Sequence, residues 1–128
     1  MLALVLDEPH TEKVADLLGR LVVEGTELHA PLLAQYEIAS VLTRKRAQGE
    51  LSREETDEAL AIVDRLDLIF HIAPDKARAI EIALELKRHS AYDAAYLALA
   101  EQLDGELWTL DGRLARNAGS RYPVSLID

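Results

Sequence analysis

The stretch HSAYDAAYLALAEQLDGELWTLD, residues 89–111, decides how this 128-residue chain is expected to fold. Small and apolar residues over 91–103 predict a buried helix, and a turn separates it from a short apolar strand at 106–110. Two carboxylates interrupt this apolar stretch: Asp93 in the first turn of the helix, and Asp111 directly after the strand. A buried helix followed at once by a buried strand is typical of a parallel sheet covered by helices.

The rest of the chain alternates between helical and strand patterns in the same way. Ser52 and Glu55 form a capping-box signature at the start of one helix, and the apolar run LIFHIA predicts a strand buried on both faces. We therefore expect an α/β fold with a central, mainly parallel sheet in one domain, residues 1–128. The predicted helices span 10–22, 34–48, 52–66, 75–88, 91–103 and 112–118, and the predicted strands span 27–33, 68–73, 106–110 and 124–127.

Composition limits the classes of function. The chain has no cysteine, which excludes disulfides and thiolate metal sites. The apolar opening MLALVL is too short to span a bilayer and lacks the basic flank of a signal peptide, so we predict a cytoplasmic protein. The net charge of −9 repels nucleic acid, and a nucleic-acid function would need a basic patch, bound cations or a partner. The one tight basic cluster, residues 44–46, is interpreted as a helix end.

Three acids fall where a parallel sheet forms its sites. Glu37 is placed in the first turn of the helix after the apolar run 27–33, Asp93 in the first turn of the helix 91–103, and Asp111 at the end of the run 106–110. Sites in such folds form beyond the carboxyl ends of the strands, where the three acids are expected to converge. Each acid also has a structural explanation: a favourable helix dipole for Glu37, a capping arrangement with Ser90 for Asp93, and a turn or N-cap role for Asp111.

Converging carboxylates indicate a metal site. At about 5 Å, two carboxylates repel by roughly 3 kcal/mol at an effective dielectric of 20, so they share protons or bind cations. Hard divalent ions such as Mg²⁺ or Mn²⁺ match an all-oxygen set of ligands. Such a site can polarise a phosphodiester and activate water, which predicts metal-assisted hydrolysis.

Three segments resemble the PIN-domain family, and in particular its VapC-type ribonuclease toxins. They are APLLAQYEIASVLTRKRAQGEL (30–51), SAYDAAYLALAEQL (90–103) and LWTLDGRLARNA (107–118), in the family's order and spacing. The resemblance implies a three-layer α/β/α fold and an endoribonuclease that depends on Mg²⁺ or Mn²⁺. It also implies a homodimer that acts on RNA and is inhibited by a cognate antitoxin protein. By position, Glu37, Asp93 and Asp111 match three of the family's four acidic metal-site residues.

The fourth acid of the family pattern has no clear match. Members begin with a hydrophobic strand that ends in Asp, whereas leucine and alanine in MLALVL favour helix, so the first strand is predicted to be missing. The alternative makes MLALVL that strand and Asp7 the fourth ligand, although Pro9 stands where the family has Ser or Thr.

Two other functions remain open. A PIN-like protein without catalysis would act as a binding partner for an antitoxin-like chain, and the missing first acid motivates this interpretation. A phospho-receiver-like domain with an acidic Mg²⁺ pocket is the third. Three results distinguish these functions. Metal-dependent RNA cleavage would indicate the nuclease, tight partner binding without metal affinity would indicate the binding partner, and phosphorylation of an aspartate would indicate the phospho-receiver.

Overall fold

The computed structural model of the chain describes residues 2–5, 11–72, 75–88, 91–109 and 111–127. The strands are β1 (Leu2–Val5), β2 (Leu28–Pro31), β3 (Ile69–His71), β4 (Glu106–Thr109) and β5 (Val124–Leu126). The helices are α1 (Thr11–Val23), α2 (Leu33–Ala47), α3 (Arg53–Arg65), α4 (Lys76–Glu85), α5 (Tyr92–Gln102) and α6 (Gly112–Ala118). The alternation of helices and strands predicted from the sequence is confirmed.

The five strands form one parallel sheet in the order β3-β2-β1-β4-β5. The chain moves outward from β1 to β3, then returns to the other side of β1 to add β4 and β5. The strand order therefore reverses between β1 and β4. In open α/β sheets, ligands bind beyond the carboxyl ends of the strands at such a reversal.

The first strand corrects the prediction for the N-terminus. Residues 2–5 form β1, which pairs with β2 on one side and β4 on the other, so the helical prediction for MLALVL is wrong. Leucine and alanine favour helix only weakly, and pairing on both sides at the centre of a sheet outweighs that preference. β1 thus occupies the central position that a missing first strand would leave empty. Asp7 lies outside the described residues.

Two apolar clusters cover the sheet. The larger one joins α4, α5 and α6 to Leu107 of β4. The smaller one joins Leu17, Leu18 and Leu21 of α1 to β2, with Trp108 packed against it. Because successive residues of a strand point to opposite faces, Leu107 and Trp108 assign the clusters to opposite sides of the sheet. The described part of the chain is therefore a three-layer α/β/α structure.

Two local predictions have different outcomes. The capping box of α3 is confirmed: the Glu55 N–H donates to Ser52 Oγ, and the Ser52 N–H donates to the Glu55 side chain.

The prediction that the strand formed by LIFHIA is buried on both faces is wrong. β3 is an edge strand, paired only with β2, and Ile69 is 39% exposed.

Candidate active site

Three elements bring the candidate acids to the carboxyl edge of the sheet. α2 begins two residues after β2 ends, and Asp111 comes two residues after β4 ends. α5 runs the opposite way, because its last residues lead into the start of β4 and its first turn therefore lies at the carboxyl edge. Helix α5 packs against β1, β2 and β4, which fixes its first turn near the reversal of strand order.

Asp111 is the N-cap residue of α6. Its Oδ1 accepts hydrogen bonds from the backbone N–H groups of Arg113 at 2.9 Å and Leu114 at 3.1 Å, as the capping interpretation predicts. Its own N–H donates to the hydroxyl of the fully buried Thr109 at 3.0 Å. These three bonds hold the carboxylate rigidly. The cap uses one carboxylate oxygen, and Oδ2 lies 4.0 Å from Nη2 of Arg88.

Asp93 lies in the first turn of α5, as predicted. Its Oδ2 is 3.4 Å from Nη1 of Arg88, so one guanidinium faces both Asp93 and Asp111. The side chains of these acids are 31% and 32% exposed, which leaves both carboxylates open to a small ligand. The described N-cap residue of α5 is Ala91, which makes no side-chain cap, and Ser90 lies outside the described residues.

Glu37 lies on α2 and is held by Tyr96, at a different point of α5 from Asp93. Helix α2 begins at Leu33, so Glu37 lies in its second turn and the first-turn prediction is wrong. The Glu37 carboxylate accepts a close hydrogen bond from the hydroxyl of Tyr96, one turn after Asp93 on α5. Burial raises the pKa of the Tyr96 hydroxyl well above its ordinary value of 10.0, and the hydrogen bond and the charges of Glu37 and Asp93 raise the pKa further. Tyr96 therefore stays protonated and donates to Glu37.

Two further side chains, those of Arg88 and Tyr96, contact the three predicted acids. Asp93 and Asp111 converge on Arg88, and Glu37 is linked to α5 through Tyr96. Within the described ranges, no three His, Cys, Asp or Glu side chains are close enough to hold a metal ion together. The two aspartates are hard, half-open oxygen donors that already face a cation, so their chemistry fits Mg²⁺ or Mn²⁺. Glu37 is not brought into the same group.

Arg88 and Tyr96 are the residues that sequence reasoning missed. Tyr96 lies within the apolar pattern of the helix predicted over 91–103, although its spacing of three from Asp93 places both on one side of α5. Arg88 gives no periodic signal, because it follows the end of α4 in an irregular segment. Only the packing of α4 against α5 shows that its guanidinium reaches both aspartates.

This fold agrees with the comparisons with known proteins. The PIN domain model matches residues 1–120, and the chain belongs to the PIN-domain family. Within it, the chain is similar to Ribonuclease VapC3 of Pyrobaculum aerophilum, 38% identical over 88% of this chain and 85% of the relative. It is also similar to VapC ribonuclease Mb0985 of Mycobacterium bovis, 34% identical over 85% of this chain and 84% of that relative. Ribonuclease VapC1 of Mycobacterium tuberculosis is 37% identical over 77% of the chain and 74% of its own length.

Proposed function

We propose that this chain is a divalent-metal-dependent endoribonuclease, the toxin of a toxin–antitoxin pair, formed by a single PIN-like domain over residues 1–128. The observation that carries the proposal is the convergence of Asp93 and Asp111 on one guanidinium at the reversal of strand order. VapC ribonucleases that match most of the chain support the choice of RNA as the substrate.

In this proposal, Asp93 and Asp111 would hold Mg²⁺ or Mn²⁺ directly, and Glu37 is the third acid. The ion would supply charge that stabilises the phosphate and lowers the pKa of water. The chain's own contribution is placement: the α6 cap fixes Asp111, the first turn of α5 fixes Asp93, and Tyr96 restrains Glu37. In the reaction, water adds to phosphorus, one P–O bond breaks, and a proton passes to the leaving oxygen.

The partners follow from the same proposal. A cognate antitoxin chain would inhibit the nuclease, and the exposed apolar side chains of the α2–α3 hairpin, Tyr36, Leu60 and Ile62, support a protein partner. A homodimer and a cytoplasmic location complete the proposal. None of the helices in the described part of the chain has the length and apolar character to cross a membrane.

The substitution Asp93→Asn tests the nuclease. It removes one unit of negative charge at the site and keeps the size of the side chain, so we expect Mn²⁺-dependent RNA cleavage to fall by at least about a hundredfold. Cleavage of a labelled RNA with Mn²⁺, with and without a chelator, is the measurement. Circular dichroism should show an unchanged fold.

Asp57→Asn is the matched control, because Asp57 is exposed on α3, outside the site. It should cleave RNA like the wild type. Full cleavage by Asp93→Asn would contradict the assignment of Asp93. A folded wild type that never cleaves RNA would instead favour the interpretation as a binding partner without catalysis.

A further inference from the structure

Arg88 occupies the position between the two aspartates that a bound cation would need. It lies three residues after the end of α4, and its side chain is 23% exposed. Nη1 is 3.4 Å from Asp93 and Nη2 is 4.0 Å from Asp111. A single positive charge supplied by the chain itself therefore balances part of the negative charge of the site. Removing it would leave two facing carboxylates to repel each other.

The guanidinium is only partly satisfied in this position. Nε and Nη2 are buried, and neither has a hydrogen-bond partner within the part of the chain that the structure describes. Buried N–H donors without acceptors are costly, and a guanidinium is well suited to two parallel bonds with phosphate oxygens. The contacts with Asp93 and Asp111 are longer than good charged hydrogen bonds. Arg88 is therefore held near the acids without being fully bound to them.

A divalent cation and Arg88 compete for the same oxygen atoms. A metal ion bound by Asp93 and Asp111 would stand beside the guanidinium, and two cations at that separation repel each other. Arg88 must then turn away from the carboxylates or weaken the binding of the metal. The phosphate of an RNA chain relieves this conflict, because it is an anion that the freed guanidinium nitrogens can bind.

We propose that Arg88 is a positioning residue that competes with the divalent cation for Asp93 and Asp111 and turns to the RNA phosphate when RNA binds. This inference rests on the proposed function. Arg88 offsets the repulsion between the two acids before the ion arrives, and it makes the binding of metal and RNA mutually favourable. Without RNA, the affinity of the site for the metal ion is therefore lower than the affinity that Asp93 and Asp111 would have if Arg88 were absent.

Titration of Mn²⁺ without RNA, followed by electron paramagnetic resonance of the free ion, tests the competition. Arg88→Gln should bind Mn²⁺ about five- to tenfold more tightly than the wild type. Arg88→Met keeps the apolar stem and should show the same gain, which covers the case that Arg88→Gln fails to fold. Arg88→Lys keeps the charge and should bind Mn²⁺ like the wild type.

Arg78→Gln is the matched control for the loss of one positive charge. Arg78 lies on α4 but pairs with Glu101 near the opposite end of α5, at 2.8 Å, so its loss should leave Mn²⁺ affinity unchanged. A second measurement, the steady-state kinetics of RNA cleavage, tests the contact of Arg88 with the RNA phosphate. At saturating Mn²⁺, Arg88→Gln should raise the KM for RNA more than it lowers kcat. Equal or weaker Mn²⁺ binding by folded Arg88→Gln and Arg88→Met would overturn the inference.

Asp93→Asn separates this inference from the proposed function. If Asp93→Asn abolishes Mn²⁺ binding but the Arg88 variants bind Mn²⁺ no more tightly than the wild type, the proposed metal site is supported and the proposed role of Arg88 is refuted. If the wild type binds no Mn²⁺ that depends on Asp93, both proposals fail together.

Discussion

At the scale of single residues, Asp111 shows how one carboxylate serves the fold and the site together. Oδ1 receives the two N–H groups at the start of α6, and Oδ2 faces Arg88. The cap uses Oδ1 and the proposed ligation would use Oδ2, so the structural explanation of Asp111 does not compete with the functional proposal. The cap also removes the freedom of the side chain to rotate, which prepares Oδ2 for a ligand.

Tyr96 provides a test at the same scale. It is 2% exposed and donates to Glu37, so Tyr96→Phe loses a hydrogen bond to a charged group and should lower the free energy of unfolding by about 1–2 kcal/mol at pH 7. Urea unfolding is the measurement. Tyr36→Phe is the matched control, since Tyr36 is 69% exposed on α2 and should lose less than about 0.5 kcal/mol.

The raised pKa of Tyr96 adds a dependence on pH. The folded protein holds this proton more tightly than the unfolded chain, so Tyr96 contributes stability that is present below pH 10 and is lost as the pH rises above it. The loss approaches about 1.4 kcal/mol per pH unit. Wild type should therefore lose stability between pH 10 and 11 more steeply than Tyr96→Phe. Part of the slope should remain, because burial also raises the pKa of Tyr122. Identical slopes would contradict this account.

Sequence reasoning identified the three acids but not their partners. Glu37, Asp93 and Asp111 follow predicted strands or begin predicted helices, which is visible in the sequence. Arg88 reaches Asp93 and Asp111 only because α4 and α5 pack together, and Tyr96 reaches Glu37 across 59 positions of the chain. Contacts of this kind depend on the tertiary arrangement, which the spacing of one element does not contain.

At the scale of elements, α4 is the support that positions Arg88. The helix presents Ala79, Ile82 and Ala83 to the larger core and packs against α5. Arg78 adds a two-point contact to Glu101, with N–O distances of 2.8 and 3.0 Å, at the end away from the site. The apolar packing of α4 against α5, and not this surface contact, sets the distance from Arg88 to Asp93.

Ile82→Ala tests this support. Ile82 is fully buried, so removing its methyl and methylene groups leaves a cavity and should lower the free energy of unfolding by about 3 kcal/mol. Ile62→Ala makes the same change on α3, where the side chain is 58% exposed, and should change stability by less than about 0.5 kcal/mol. Equal losses in the two variants by urea unfolding would refute a core role for Ile82.

The elements were predictable where local signals decide them. Helical spacing and the capping box locate α1 to α6 to within about three residues of the structure, and the largest difference is at the end of α4. The predictions for the segments that form β1 and β3 were wrong for opposite reasons. Local preference favours helix at β1, but its neighbours in the sheet impose a strand. LIFHIA is apolar enough for a central strand, but the order of the strands places β3 at the edge.

At the scale of the whole molecule, an apolar pair on α4 supports the proposed homodimer. Ile80 and Leu84 stand one turn apart and are 55% and 70% exposed. Leu84→Glu would place a charge in an interface formed by this face, so we expect it to convert the dimer to a monomer in light scattering with little change in melting temperature. Val23→Glu, at a position 88% exposed on α1, should remain dimeric. A dimeric Leu84→Glu would exclude this face of α4.

The central position of β1 has a consequence for the timing of synthesis. β1 is made before its partner β4, which follows about 100 residues later and is itself followed closely by Asp111. At typical rates of translation, β1 waits roughly 5–20 s for β4. The edge of the sheet that carries Asp111 is therefore assembled only after residues 106–111 have been translated. Until β4 pairs with β1, Asp111 has no fixed position beside Asp93, so the proposed nuclease site is assembled late relative to the central strand of its own sheet.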